Sequence, residues 1–153
     1  MVRKKVTKKR ISTKNPRPRI DVALIVMHED RILLGEKRKS KSQGRCWDFP
    51  GGAIEYGESP HTTGLRETFE ESGIRVRIID EEPYSVTSDM IKSGRHEITQ
   101  VYRAIQEPIE KYHPRLREPN KFHQWAYFPL EELPSKLSIG VQNFLKKGYN
   151  PFK

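Results

Sequence analysis

Along the chain, aliphatic and β-branched positions fall into short blocks separated by polar turns. "IDVALIVMH" (Ile20–His28) and "RILLGEKR" (Arg31–Arg38) flank Glu29 and Asp30, a pattern that predicts two strands joined as a hairpin. "KSKSQGR" (Lys39–Arg45) is polar and holds a glycine, so it reads as a loop. "CWDFPGGAIE" (Cys46–Glu55) then predicts a short strand, a Pro-Gly-Gly break and a second short strand. Ser59-Pro60 supplies an N-cap and a first-turn proline, Gly73 supplies a stop, and a helix of about fourteen residues is expected between them. Within it Leu65 and Phe69, at i and i+4, form the stripe expected to anchor the helix to a sheet. "IRVRII" (Ile74–Ile79), "YSVTSDMI" (Tyr84–Ile91) and "HEITQVYRAIQ" (His96–Gln106) read as strands, the last two joined across the turn "KSGR". "FHQWAYFPL" (Phe122–Leu130) is a further strand, "LEEL" a helical turn, and "SIGVQNFLKK" (Ser138–Lys147) a terminal helix ending at Gly148. Strands mixed with one central and one terminal helix predict an α+β domain in αβα layers, with helices covering a mixed sheet.

Length adds that 153 residues, 34% of them hydrophobic, suit one domain with a modest core. The single cysteine, Cys46, has no internal disulfide partner, and no apolar run reaches the length of a signal peptide or membrane span. The expectation is a cytoplasmic protein with no membrane partner. Cys46 has no His near it in sequence, and a lone cysteine is more often a small buried residue than a nucleophile. Charge changes the picture more. Of a formal net +9, nine Lys or Arg fall in residues 1–19 with no acid, so residues 20–153 are formally neutral. The division expected is a basic, disordered tail over 1–19 and a folded domain over 20–153. The tail is either a solubilising arm or one that attracts nucleic acid by electrostatic steering.

Against that balance, Gly52–Ile74 carries five glutamates. Glu67, Glu70 and Glu71 sit at i, i+3 and i+4 on the expected helix, so their side chains leave one face together. Like charges at that spacing weaken a bare helix by a few tenths of a kcal/mol per pair. A cation between them would reverse the sign, and hard oxygen ligands favour Mg²⁺ or Mn²⁺. The alternative is a dense but solvated acidic face, with Arg66 and Glu70 in an ordinary i,i+4 ion pair.

From Gly52 the spacing runs Gly, five residues, Glu58, seven residues, Arg66-Glu67-Thr68-Phe69-Glu70-Glu71-Ser72-Gly73-Ile74. This resembles the Nudix box, G-x5-E-x7-R-E-U-x-E-E-x-G-U with U a bulky aliphatic. Thr68 departs from it, standing where an aliphatic is usual, and Thr63-Gly64 replaces small alanines. "WDFPGG" and "WAYFPLEELP" also resemble family elements, so the likeness covers roughly 20–150. The resemblance implies a Nudix-type αβα sandwich with a loop-helix-loop metal site, and hydrolysis of a nucleoside diphosphate linked to another moiety. Carried over, it makes Glu67, Glu70 and Glu71 metal ligands, joined by the carbonyl of Gly51 or Gly52, and has Glu58 and Arg66 hold loop and helix in register. Mg²⁺ would neutralise the diphosphate and lower the pKa of an attacking water.

A general base outside the box is common in the MutT-like branch, and Glu118 is the candidate, with Glu97 its rival. Trp47 either stacks on a nucleobase or packs in the core; Lys37 and Arg38 meet either phosphate or water. "RETFEE", "EPNKFHQW" and "LKKGYNPF" resemble a branch that cleaves nucleoside triphosphates to monophosphate and pyrophosphate. ADP-ribose, dinucleoside polyphosphates and the 5′ triphosphate end of RNA stay open as substrates, as does a non-catalytic binding module. A nucleotide is the expected partner, with weak nucleic-acid contact through the tail and a homodimer as further possibilities.

Overall fold

The computed structural model describes residues 16–40, 44–91, 94–108 and 113–153. Its strands are β1 (Arg19–His28), β2 (Arg31–Ser40), β3 (Gly44–Asp48), β4 (Gly51–Ala53), β5 (Val76–Ile78), β6 (Ser85–Met90), β7 (His96–Gln106) and β8 (Phe122–Pro129). The helices are α1 (Pro60–Ser72) and α2 (Ile139–Lys146), with a 3₁₀ turn at Leu130–Glu132. The sheet runs β3-β2-β1-β7-β5, with β4 on β1, β6 on β7 and β8 on β2. β1 and β7 are parallel, from Arg19 opposite Glu97 to Met27 opposite Ile105. The other pairings are antiparallel, which makes the sheet mixed.

β1 is the centre of this arrangement because both of its faces are apolar. Val22, Leu24 and Val26 pack with Tyr102, Ala104 and Ile74 on one side. Ile25 and Met27 pack with Phe49 and with Val141 and Phe144 of α2 on the other. Each aliphatic side chain fully buried there contributes roughly 1.5–3 kcal/mol. The helices thus cover opposite faces, and the expected α+β, αβα layering is what is observed.

Three expectations change. Leu65 and Phe69 do not anchor α1: Leu65 is 41% exposed, and the buried residues of the helix are Thr63, Gly64, Thr68, Glu71 and Ser72. The reason is steric, since a Cβ on Gly64 would stand 2.8 Å from Leu24 Cδ2. A helix lying that close to the sheet needs small side chains beneath it. The loop expected over Lys39–Arg45 is shorter than that, because β2 continues to Ser40 and pairs with Gly44 where β3 begins. The tail also ends earlier than residue 19. Arg19 belongs to β1, and the rest of the tail up to residue 15 lies outside the described residues, as do two residues of the "KSGR" turn.

Candidate active site

α1 is fixed at both ends by its own sequence. Ser59 Oγ accepts from Thr62 N at 3.1 Å as the N-cap, and Gly73, at φ 72°, donates its N–H to Phe69 O at 2.8 Å. The loop before it is clamped by one guanidinium: Arg66 Nε and Nη2 reach the two Glu58 oxygens at 2.8 and 2.7 Å. Glu58 also accepts from Glu55 N at 3.1 Å and Thr63 Oγ1 at 3.2 Å. The Arg66 bonds, foremost, hold the Glu58 carboxyl down at about 2. The expected registration of loop and helix is therefore present as geometry.

Two of the three carboxylates expected as metal ligands meet in one cleft. Glu67 and Glu71 line it together with Gly51, Gly52, Lys37, Arg38, Arg19 and Lys121. Glu71 is 4% exposed, accepts from Gly51 N at 2.9 Å, and is pushed up to about 8 by burial, with Glu67 and Glu118 adding repulsion. Burial also raises Glu67, against the pull of Arg66 at 2.8 Å. Glycine at 52 leaves room for the Glu67 carboxylate in this position, since a Cβ would stand 2.5 Å from its carboxyl carbon and push it aside. Glu70 is placed differently: it is half exposed, 3.3 Å from Arg66, and outside the cleft lining. The i,i+4 ion pair weighed from the sequence is thus present.

Glu118 stands in the loop before β8 and is near enough to raise Glu71. Its Oε1 is 3.3 Å from Lys121 Nζ, and its Oε2 is buried without a hydrogen-bond partner. β2 holds this loop, Arg38 giving its N–H to Lys121 O at 2.8 Å and its Nε to Pro119 O at 2.5 Å. Glu97 lies elsewhere, paired with Arg95 at 2.5 Å in an adjoining cavity. Trp47 is not brought to the cleft; it packs edge-on against Phe128 at 5.0 Å, beside the core. Cys46 is buried, and burial pushes its thiol up, away from a nucleophile's range.

The adjoining cavity shares Arg19, Lys37, Gly51 and Gly52 with the cleft. Its wall holds two anchored aspartates. Asp48 accepts from Lys37 Nζ at 2.7 Å and Ser138 Oγ at 2.8 Å, and the Asp48 charge, foremost, raises Lys37 above the usual lysine range. Asp89 is 4% exposed and accepts from Thr87 Oγ1 at 3.0 Å and from Asn143 Nδ2. Sequence reasoning missed Asp48, Asp89, Thr87 and Arg19. One signal was available in "SVTSDM", whose alternation puts Ser85, Thr87 and Asp89 on a single buried face. Polar residues repeated on an inward face line a polar cavity.

Among the described residues, no three His, Cys, Asp or Glu side chains converge as a ready-made metal cluster. The donor set nonetheless fits a hard divalent cation. It comprises the buried Glu71 carboxyl and Glu67 pressed on Gly52, with Gly51 and Gly52 lining the same cleft.

A box-bearing α1 held against a mixed sheet, with buried Glu71 and half-buried Glu67 facing a cationic cleft, is an arrangement suited to a hydrolase. Residues 17–147 match the NUDIX domain family, and the chain belongs to that family, whose pyrophosphohydrolases act on pyrophosphate bonds. It is 28% identical over 163 aligned positions to an RNA pyrophosphohydrolase of Bartonella quintana, covering 94% of each chain. A MutT-like protein of Streptomyces ambofaciens is 39% identical over 67 residues, 44% of this chain and 42% of that one. Among solved structures, the MutT NUDIX hydrolase of Burkholderia pseudomallei superposes with a TM-score of 0.75 at 26% identity, covering 87% of this chain and 99% of that one.

Proposed function

We propose that the protein is a Mg²⁺-dependent pyrophosphohydrolase of 5′-triphosphates, releasing pyrophosphate and leaving a 5′-monophosphate. The observation that carries this reading is the pairing of two cavities through Lys37, Gly51 and Gly52. One end offers carboxylates and cations suited to metal and phosphate; the other is a polar chamber walled by Asp48 and Asp89, suited to the hydrogen-bonding edge of a base.

Arg19, Lys37, Arg38 and Lys121 line the phosphate end and offset its charge. Glu67 and Glu71, with Glu70 brought round from Arg66 and a carbonyl of Gly51 or Gly52, would hold the cation. That ion, when bound, supplies charge neutralisation and activates water. The new bond joins the water oxygen to the α-phosphorus, the α–β bridging P–O bond breaks, and pyrophosphate leaves with the electron pair. Glu118 takes the water's proton on Oε2, the oxygen left without a partner.

A second reading makes the 5′ end of RNA the substrate, and relatives named RNA pyrophosphohydrolase favour it. Phosphate release from nucleoside triphosphates, ADP-ribose, a dinucleoside polyphosphate and 5′-triphosphorylated RNA, with Mg²⁺ and with or without added pyrophosphatase, tests both. The expected signal appears only with pyrophosphatase and only from triphosphate ends. Direct orthophosphate release overturns the cleavage position, and no turnover on any substrate leaves a binding module.

A further inference from the structure

We propose that the outer flank of α1 and the loop before β8 form a docking surface for single-stranded RNA, carrying the chain that follows the 5′ end. This rests on the RNA reading of the active site. The starting observation is the Leu65–Phe69 stripe, which the fold turns away from the sheet. Phe69 is half-buried, with the Arg75 guanidinium 4.6 Å and the Arg117 guanidinium 4.7 Å from its ring centre. Arg115 joins them, since a Cβ on Gly73 would lie 3.0 Å from Arg117 Cδ and 3.3 Å from Arg115 Nε. Two exposed arginines thus lie over one aromatic ring at the C-terminal end of α1, with exposed Arg115 beside Gly73 and exposed Leu65 and Leu116 nearby.

Their charge is uncommitted. Arg75, Arg115 and Arg117, like Arg17, Arg38 and Arg77, have no carboxylate within 4.0 Å among the described residues, whereas Arg19, Arg31, Arg45, Arg66, Arg95 and Arg103 each have one. The negative end of the α1 dipole favours a cation there, and Arg115 already donates its backbone N–H to Ser72 O at 2.7 Å. That role accounts for one positive group and leaves a surplus of arginine beside apolar surface. Guanidiniums grip phosphate in a fork, and arginine and aromatic planes receive unstacked bases. The charge and the stacking surface together fit a single strand better than a protein partner. The position fits as well, because Arg117 is followed directly by Glu118, so the patch borders the proposed proton acceptor.

The test measures binding of a twelve-nucleotide 5′-triphosphorylated RNA to the full chain in chelator, at low and moderate salt. Arg75→Glu with Arg117→Glu should weaken binding at least tenfold at low salt and flatten the log–log salt slope by about one, as expected for one to two lost phosphate contacts to a single strand. Phe69→Ala should weaken binding several-fold with the slope unchanged. Lys136→Glu with Lys146→Glu, the same charge change elsewhere, should weaken it at most twofold, and kcat/KM on free triphosphates should stay within twofold in all three. Should the glutamate pair fail to fold, Arg75→Gln with Arg117→Gln should give the same direction. Equal losses from the lysine pair, or none from the arginine pair, overturn the surface. If the wild type cleaves free triphosphates but does not bind RNA, the surface falls and the triphosphate reading stands. If it binds RNA through these arginines yet releases no pyrophosphate from its end, the surface stands and the RNA-end reading falls.

Discussion

Glu71 is the residue at which folding and catalysis conflict. A carboxyl whose folded-state pKa, about 8, lies above its unfolded value near 4.5 contributes most stability below 4.5 and loses it as pH rises through 8. Glu71→Gln keeps an acceptor for Gly51 N and cannot ionise. Metal-free wild type should therefore lose melting temperature between pH 5 and 8 while Glu71→Gln stays nearly level; added Mg²⁺ should raise the wild-type melting temperature, and that shift should vanish in the variant. A Mg²⁺ shift that survives the substitution removes Glu71 from the metal set. Glu118 and Glu97 separate by geometry, one with an orphaned oxygen and the other locked to Arg95. Glu118→Gln should lower kcat by a factor of about 10²–10⁴ with KM little changed, as for loss of a general base. Glu97→Gln should leave kcat within severalfold; the reverse ranking would transfer the role to Glu97.

In α1, the sequence signals and the packing part company. Its limits were legible because Ser59, Pro60 and Gly73 act locally, through cap bonds and a left-handed turn. Its orientation was not, because an apolar stripe at i and i+4 ordinarily marks the buried face, and here closeness to Leu24 selected Gly64 and Thr68 instead. Stability should follow the packing: Leu65→Ala should cost under about 1 kcal/mol, and Gly64→Leu about 1–3 kcal/mol, by chemical denaturation. Equal costs would mean that the stripe does anchor the helix. The Glu58–Arg66 clamp has its own pH signature. With the Glu58 carboxyl held at about 2 against 4.5 unfolded, its contribution is complete above 4.5 and is lost as pH falls toward 2. Glu58→Gln should accordingly lower the melting temperature at pH 7 and shrink its gap to wild type at pH 2.5.

Across the whole molecule, the elements and the box were readable one by one, whereas the adjoining chamber was not. Asp48, Asp89, Ser138 and Arg19 come from four distant stretches, and only the sheet order places them on one wall. The basic arm is separable from this architecture if the cut spares Arg19, which pairs with Asp21 at 2.6 Å inside β1. Removing residues 1–15 should leave turnover of free nucleotides unchanged at any ionic strength; a salt-dependent loss would give the arm a part in small-substrate capture. The parallel pairing of β1 with β7 carries a consequence for synthesis. Arg19 meets Glu97 only after the intervening chain has been made, so the most apolar strand leaves the ribosome long before the partner that completes its burial. Translation must carry Val22–Met27 through that interval with one edge unpaired, and closure between such distant segments is slow. The nascent chain is then most exposed to aggregation at intermediate lengths, before β7 emerges.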